Sequence, residues 1–137
     1  MRSRTFTVEE ANNALPLVRR IVADIVRAYE LLSEQAVDYK DVRVVEDRTT
    51  EIEDRLNGLK RSMSVLSEQI EDFVAELAEI GCEMKDLKTG LIDFPFLMDG
   101  RRVFLCYELG EERVEFWHEL TEGYAGRKPL PVTVSEE

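Results

Sequence analysis

The stretch FPFLMDGRRVFLCY, residues 94–107, decides how the second half of the chain folds. Asp99-Gly100 at its centre is the pair that a two-residue hairpin turn demands, because both turn positions take positive φ. With that turn, Leu97 opposes Arg102, Phe96 opposes Val103, Pro95 opposes Phe104, Phe94 opposes Leu105 and Asp93 opposes Cys106. Opposed residues share a face, so Ile92, Phe94, Phe96, Val103, Leu105 and Tyr107 form one apolar side. That side predicts a core face.

Working outward, a loop of Lys88-Thr89-Gly90 sets Lys85 against Asp93 and Met84 against Phe94, which keeps like charges from facing each other. Downstream, an even turn through Gly110-Glu111 places Val114, Phe116 and His118 on the core face, with Glu115, Trp117 and Glu119 on the other. An odd turn would bring Glu115 beside Tyr107 on the apolar side, at the cost of an unpaired buried charge. The alternation around Phe116 and Trp117 favours a strand there over a helix. Residues 82–120 therefore read as a four-stranded antiparallel β-meander, and residues 121–137 as an extended tail.

The first half has a different period. Thr7 and Glu10 fit a capping box, with Phe6 placed to staple the helix start. Pro16 predicts either a kink or a new helix start near Leu15. Val18, Val22, Ile25, Tyr29, Leu32, Ala36 and Tyr39 then recur in alternating steps of four and three, a heptad seam. A second stripe of Leu17, Ile21, Ala28 and Leu31 runs beside it. The seam from Ile52 through Leu56, Leu59, Met63, Leu66, Ile70, Phe73 and Leu77 to Ile80 predicts a second helix about 42 Å long. Gly81 stands where a left-handed cap belongs. Residues 8–40 and 48–80 are thus expected to form a long, coiled-coil-like antiparallel helical hairpin. Packed with the meander it makes one α+β domain, residues 1–137.

A formal net charge of −11, spread over both halves, argues against nucleic acid as a partner. Glu9, Glu10, Asn12 and Asn13 lie where the apolar part of a signal peptide would follow Arg2 and Arg4. With no apolar run long enough to span a bilayer, no membrane is expected. Cys82 and Cys106 then read as free thiols of a cytoplasmic protein.

The chain's single His and single Trp sit together in EFWHEL, residues 115–120. Read as a helix, Glu115 and His118 would have the spacing of a carboxylate-bridged di-metal site, but such a site needs that motif twice. The registers instead predict a polar row of Lys85, Asp93, Cys106 and Glu115 across four strands. Cys106 and His118 then face opposite ways, against a Cys–His nucleophile pair. An aromatic row of Pro95, Phe104 and Trp117 lies beside the polar one, and either the tail around Tyr124–Leu130 or another subunit must cover it.

FTVEEANNALPLVRR (6–20), GCEMKDLKTGLIDFPFLMDGRRVFLCYELGE (81–111) and EFWHELTEGYAGRKPL (115–130) together resemble the bacterial domain-of-unknown-function family numbered 2203. The resemblance implies a small standalone bacterial protein and brings no activity, cofactor or catalytic residue with it. The expected function is that of a non-catalytic, self-associating interaction or structural protein, with a dimer favoured. Its interface would comprise Pro95, Phe104 and Trp117 on the sheet and Leu17, Ile21 and Leu31 on the first helix. The alternative is a small-molecule- or metal-dependent enzyme using His118 with Asp93 and Cys106, flanked by Lys85 and Glu115. In that reading His118 and Asp93 are the candidate metal ligands. A third possibility is an adaptor that docks another protein on the acidic hairpin. No cofactor is expected.

Overall fold

Thr7 opens the first helix with the capping box its spacing predicts. Its hydroxyl accepts from the Glu10 backbone, and the Glu10 carboxylate accepts from the Thr7 backbone. The computed structural model describes residues 4–131; Arg2 and residues 132–137 of the tail lie outside them. Helix α1 runs from Val8 to Arg43 through Pro16, so no new helix starts near Leu15, and it extends past the expected boundary at residue 40. Helix α2 spans Thr50–Ile80, capped by the Thr49 hydroxyl at its start and by Gly81 in the left-handed conformation at its end. Arg48 closes the connection, donating to the Arg43 carbonyl and to Glu53.

Beyond Gly81 come β1 (Glu83–Asp86), β2 (Leu91–Met98), β3 (Arg101–Glu108), β4 (Phe116–His118) and β5 (Lys128–Pro129), adjacent in that order in one antiparallel sheet. The meander thus has five strands rather than four, because part of the expected tail pairs with β4. The β2–β3 register is the one the Asp99-Gly100 turn predicts, residue for residue from Asp93 to Arg102. Its apolar side meets Leu15, Val18, Val22 and Ile25 of α1 and Leu66, Ile70 and Leu77 of α2 in a single core. Burying each such aliphatic side chain contributes roughly 1.5–3 kcal/mol, whereas an exposed ion pair such as Arg48–Glu53 contributes about 0–1. Layer packing therefore holds the hairpin on the sheet.

Two registers differ from expectation. In β1, Glu83 opposes Asp93, Met84 opposes Ile92 and Asp86 opposes Leu91, with an irregularity at Lys85. The Asp86 carboxylate accepts from the Lys88 backbone and its carbonyl from Gly90. These bonds stretch the loop to include Leu87, which packs on the core. The bulge then returns Met84 to the apolar side.

The larger difference lies in β4, where Phe104 opposes His118, Leu105 opposes Trp117 and Cys106 opposes Phe116. Trp117 therefore belongs to the core side, packed against the cluster, while Phe116 and His118 share the opposite face with Asp93 and Cys106. The even-turn expectation fails because the β3–β4 connection leaves the ladder and docks on α1 at Glu112 and Val114. The Val114 backbone donates to Asn12 Oδ1 at 2.8 Å and accepts from Asn12 Nδ2 at 3.4 Å. Arg19 adds bonds to the Glu112 carbonyl and the Tyr107 hydroxyl. Glu115 is left exposed and never meets Tyr107, so the argument against an odd connection does not apply.

Gly90 and Gly100 separate backbone strain from crowding. Both have φ near +80°, but a Cβ on Gly90 would come within 2.8 Å of Leu109 and 3.0 Å of Val22, whereas one on Gly100 meets nothing. Gly100→Ala is expected to cost about 1–2 kcal/mol in urea denaturation, and Gly90→Ala about 1–3 kcal/mol more. Equal losses would contradict this packing of the β1–β2 turn against α1.

Candidate functional site

On the sheet face turned away from the helices, three polar side chains from neighbouring strands converge. Asp93 of β2 and Cys106 of β3 are directly opposed, and His118 of β4 stands one position along beside Phe104. All three are buried, at 2%, 0% and 2% exposure. Their donor atoms lie within 4.8 Å of one another. Sequence reasoning named these residues but set His118 on the other face; the structure brings the three together.

His118 Nε2 sits 3.0 Å from Asp93 Oδ1, and His118 Nδ1 sits 2.8 Å from the Glu119 carbonyl oxygen. A carbonyl only accepts, so Nδ1 carries a proton. The Nε2–Oδ1 contact then needs exactly one more, held either as imidazolium with carboxylate or as imidazole with carboxylic acid. The pair is neutral overall in both forms. Burial pushes the Asp93 carboxyl up from its ordinary value, opposed by the hydrogen bond and charge of His118. Burial likewise pushes the Cys106 thiol up to about 11, against the pull of Arg127, whose guanidinium lies 3.9 Å from the sulfur.

The tail forms the roof. Tyr124–Gly126 makes a short 3-10 turn, after which Arg127 stacks 4.0 Å over the Phe116 ring and 4.4 Å over Tyr124 and forms an ion pair with Glu111. Between roof and sheet lies a cleft of about 320 Å³, bounded by Asp93, His118, Lys85, Leu91, Phe104, Leu120 and Tyr124. Lys85 reaches this cleft from its bulge, but its ammonium pairs with Glu83 at 2.8 Å rather than with Asp93.

The remaining candidates fall elsewhere. Glu115 is exposed and does not join the polar row, whose place is taken by Phe116. The Pro95–Phe104–Trp117 row does not exist: His118 stands where Trp117 was expected, and the Trp117 ring lies under Lys128 and Arg101. On α1, Ile21 is buried in the core, while Leu17 and Leu31 are 55% and 43% exposed. Arg127, Glu111 and Tyr124 were not singled out as parts of the site. One hint was the tail's suitability as a cover for the sheet.

A family model described as an uncharacterized conserved protein (DUF2203) matches residues 4–130, a span that includes both helices, the sheet and the Asp93–Cys106–His118 cluster. No curated protein and no solved structure matches the chain. Among the described residues no helix is long and apolar enough to cross a membrane.

Asp93 makes stability depend on pH with a definite sign. Its carboxyl holds a proton more tightly folded than unfolded, so its contribution is complete below the ordinary value of 3.8 and is lost as pH rises through the native pKa. Denaturation of wild type and Asp93→Asn across that range should show the wild type losing ground relative to the variant as pH rises. A wild type that gains ground instead would mean that pairing with His118 outweighs burial.

Proposed function

We propose that this chain, which belongs to the uncharacterized conserved protein family DUF2203, is a small-molecule-handling protein that works from the cleft at Asp93, Cys106 and His118. The observation supporting this reading is a buried, proton-sharing Asp–His pair at the wall of an open cleft, with the Cys106 thiol buried behind it. Removing such groups from water costs free energy that an apolar sheet face would not cost. A carboxyl whose proton affinity is raised by burial, set in a cleft, marks a candidate functional site. The cleft suits a compact organic molecule, with Leu91, Phe104 and Leu120 for its body and Lys85 for an anionic end. Protein-observed NMR with small aromatic carboxylates such as benzoate tests the reading, since the single His ring reports directly on the site. Such probes are expected to shift the His118 resonances. Leu120→Trp, at a position 52% exposed, should fill the cleft and weaken that binding by at least about tenfold while leaving the fold intact. Probes that bind without touching His118, or equally well to the variant, would count against it.

Self-association is a second reading, supported by a separate observation. Leu17 and Leu31 lie exposed on α1, each in a depression between the helices, with Ile80 and Phe73 of α2 respectively. A symmetric dimer through those depressions predicts that Leu17→Glu with Leu31→Glu halves the mass seen by sedimentation equilibrium. A wild type that is monomeric at micromolar concentration would remove this reading and leave the cleft reading untouched.

A further inference from the structure

We propose that Asp93, Cys106 and His118 are the protein ligands of a single borderline-soft divalent transition ion of the Zn²⁺ class, with its remaining coordination position open to the cleft. The proposal rests on the cleft being the working site and goes on to name what it holds.

The geometry of His118 carries the argument. Both ring nitrogens are engaged, Nδ1 with the Glu119 carbonyl and Nε2 with Asp93. A metal-ligating histidine needs its far nitrogen fixed by an acceptor, which sets the tautomer and aims the other nitrogen at the ion. The Glu119 carbonyl does this to Nδ1, and Nε2 points into the space shared with Asp93 and Cys106. Bond lengths of about 2.0–2.3 Å from Zn²⁺ to N, O and S ligands put tetrahedral ligands about 3.3–3.6 Å apart. The Nε2–Oδ1 separation of 3.0 Å is already near that value. The widest separation, no more than 4.8 Å, has to close by only about 1 Å.

Charge balance points the same way. Before binding, the site holds a neutral thiol and a neutral proton-sharing pair. After binding it holds a thiolate, a carboxylate, a neutral imidazole and a dication, again neutral overall. One ion thus replaces two protons, one leaving the Cys106 sulfur and one leaving the Asp93–His118 pair. The exchange adds no net charge to a buried site, and a protein of net charge −11 draws cations to itself. Lys85 is paired with Glu83 and Arg127 with Glu111, beside the three ligands. One sulfur and one nitrogen ligand select against Mg²⁺ and Ca²⁺, which take oxygen.

Calorimetric titration of the full chain with Zn²⁺, in buffers of different ionisation enthalpy, reads stoichiometry, affinity and protons released. Co²⁺ in place of Zn²⁺ reports a sulfur ligand through thiolate-to-metal absorption. The expected result is one ion bound with about two protons released at neutral pH. The charge-transfer band should be absent in Cys106→Ser, and affinity in Asp93→Asn and His118→Gln should fall by at least about tenfold. Cys82→Ala, on the other side of the sheet, should bind as wild type does. Circular dichroism of each variant separates loss of a ligand from loss of fold, and any one folded variant suffices. No ion retained at millimolar concentration, or binding that survives all three substitutions, would overturn the metal proposal. Small carboxylates that still shift His118 in that case would leave the cleft reading standing.

Discussion

The amide of Asn12 grips the backbone of Val114 on both sides, and the rest of the site depends on that grip. Between Tyr107 and Phe116 the chain can either continue the ladder or leave it. Asn12 offers a donor and an acceptor at the edge of α1, and the loop takes both. Each bond adds only about 0.5–1.5 kcal/mol net, but leaving buried backbone groups unpaired would cost about 1–3 kcal/mol apiece. With Val114 buried at 1% exposure, the docked loop is strongly preferred. An odd connection follows, and with it the strand parity that sends His118 to Asp93 and Trp117 to the core.

From that parity the far face of the sheet acquires its character. A face carrying Asp93, Cys106 and His118 side by side must either stay wet or be roofed with partners for every polar atom. Here the roof is the return of the chain after His118. The Glu119 carbonyl satisfies Nδ1, Arg127 lies against Phe116, Tyr124 and the Cys106 sulfur, and Glu111 neutralises Arg127. Strand β5 ties that return to the sheet through Lys128 and Pro129. The outcome is a buried polar cluster, with Asp93 and His118 at the wall of a cleft.

How much of this was legible follows from the range of the interaction that decided it. The β2–β3 hairpin could be read in full, because Asp99-Gly100 is a local code for turn and register together. The helix seams, the Thr7 capping box and the Gly81 cap are likewise short-range features. The β1 register was lost to a hydrogen bond that the Asp86 carboxylate accepts from the Lys88 backbone two residues on, which admitted Leu87 to the loop. The β4 parity was lost to a partner 102 residues away, and no pattern inside EFWHEL could announce it. The site was half legible for the same reason. Residue chemistry identified Asp93, Cys106 and His118, whereas their convergence waited on Asn12. The roof residue Arg127 carries no sequence signal beyond its charge.

The most direct test of the account is the position of the His118 ring, and the chain's single histidine makes it unambiguous. Proton–proton nuclear Overhauser contacts from the ring should reach the Phe104 ring, whose centroid is 5.6 Å away, and the Cys106 β-protons. The Nδ1 proton should be observed as a slowly exchanging donor. Contacts from His118 to the methyl groups of Val103 and Leu105, in place of those to Phe104 and Cys106, would restore the even connection and dissolve the cluster.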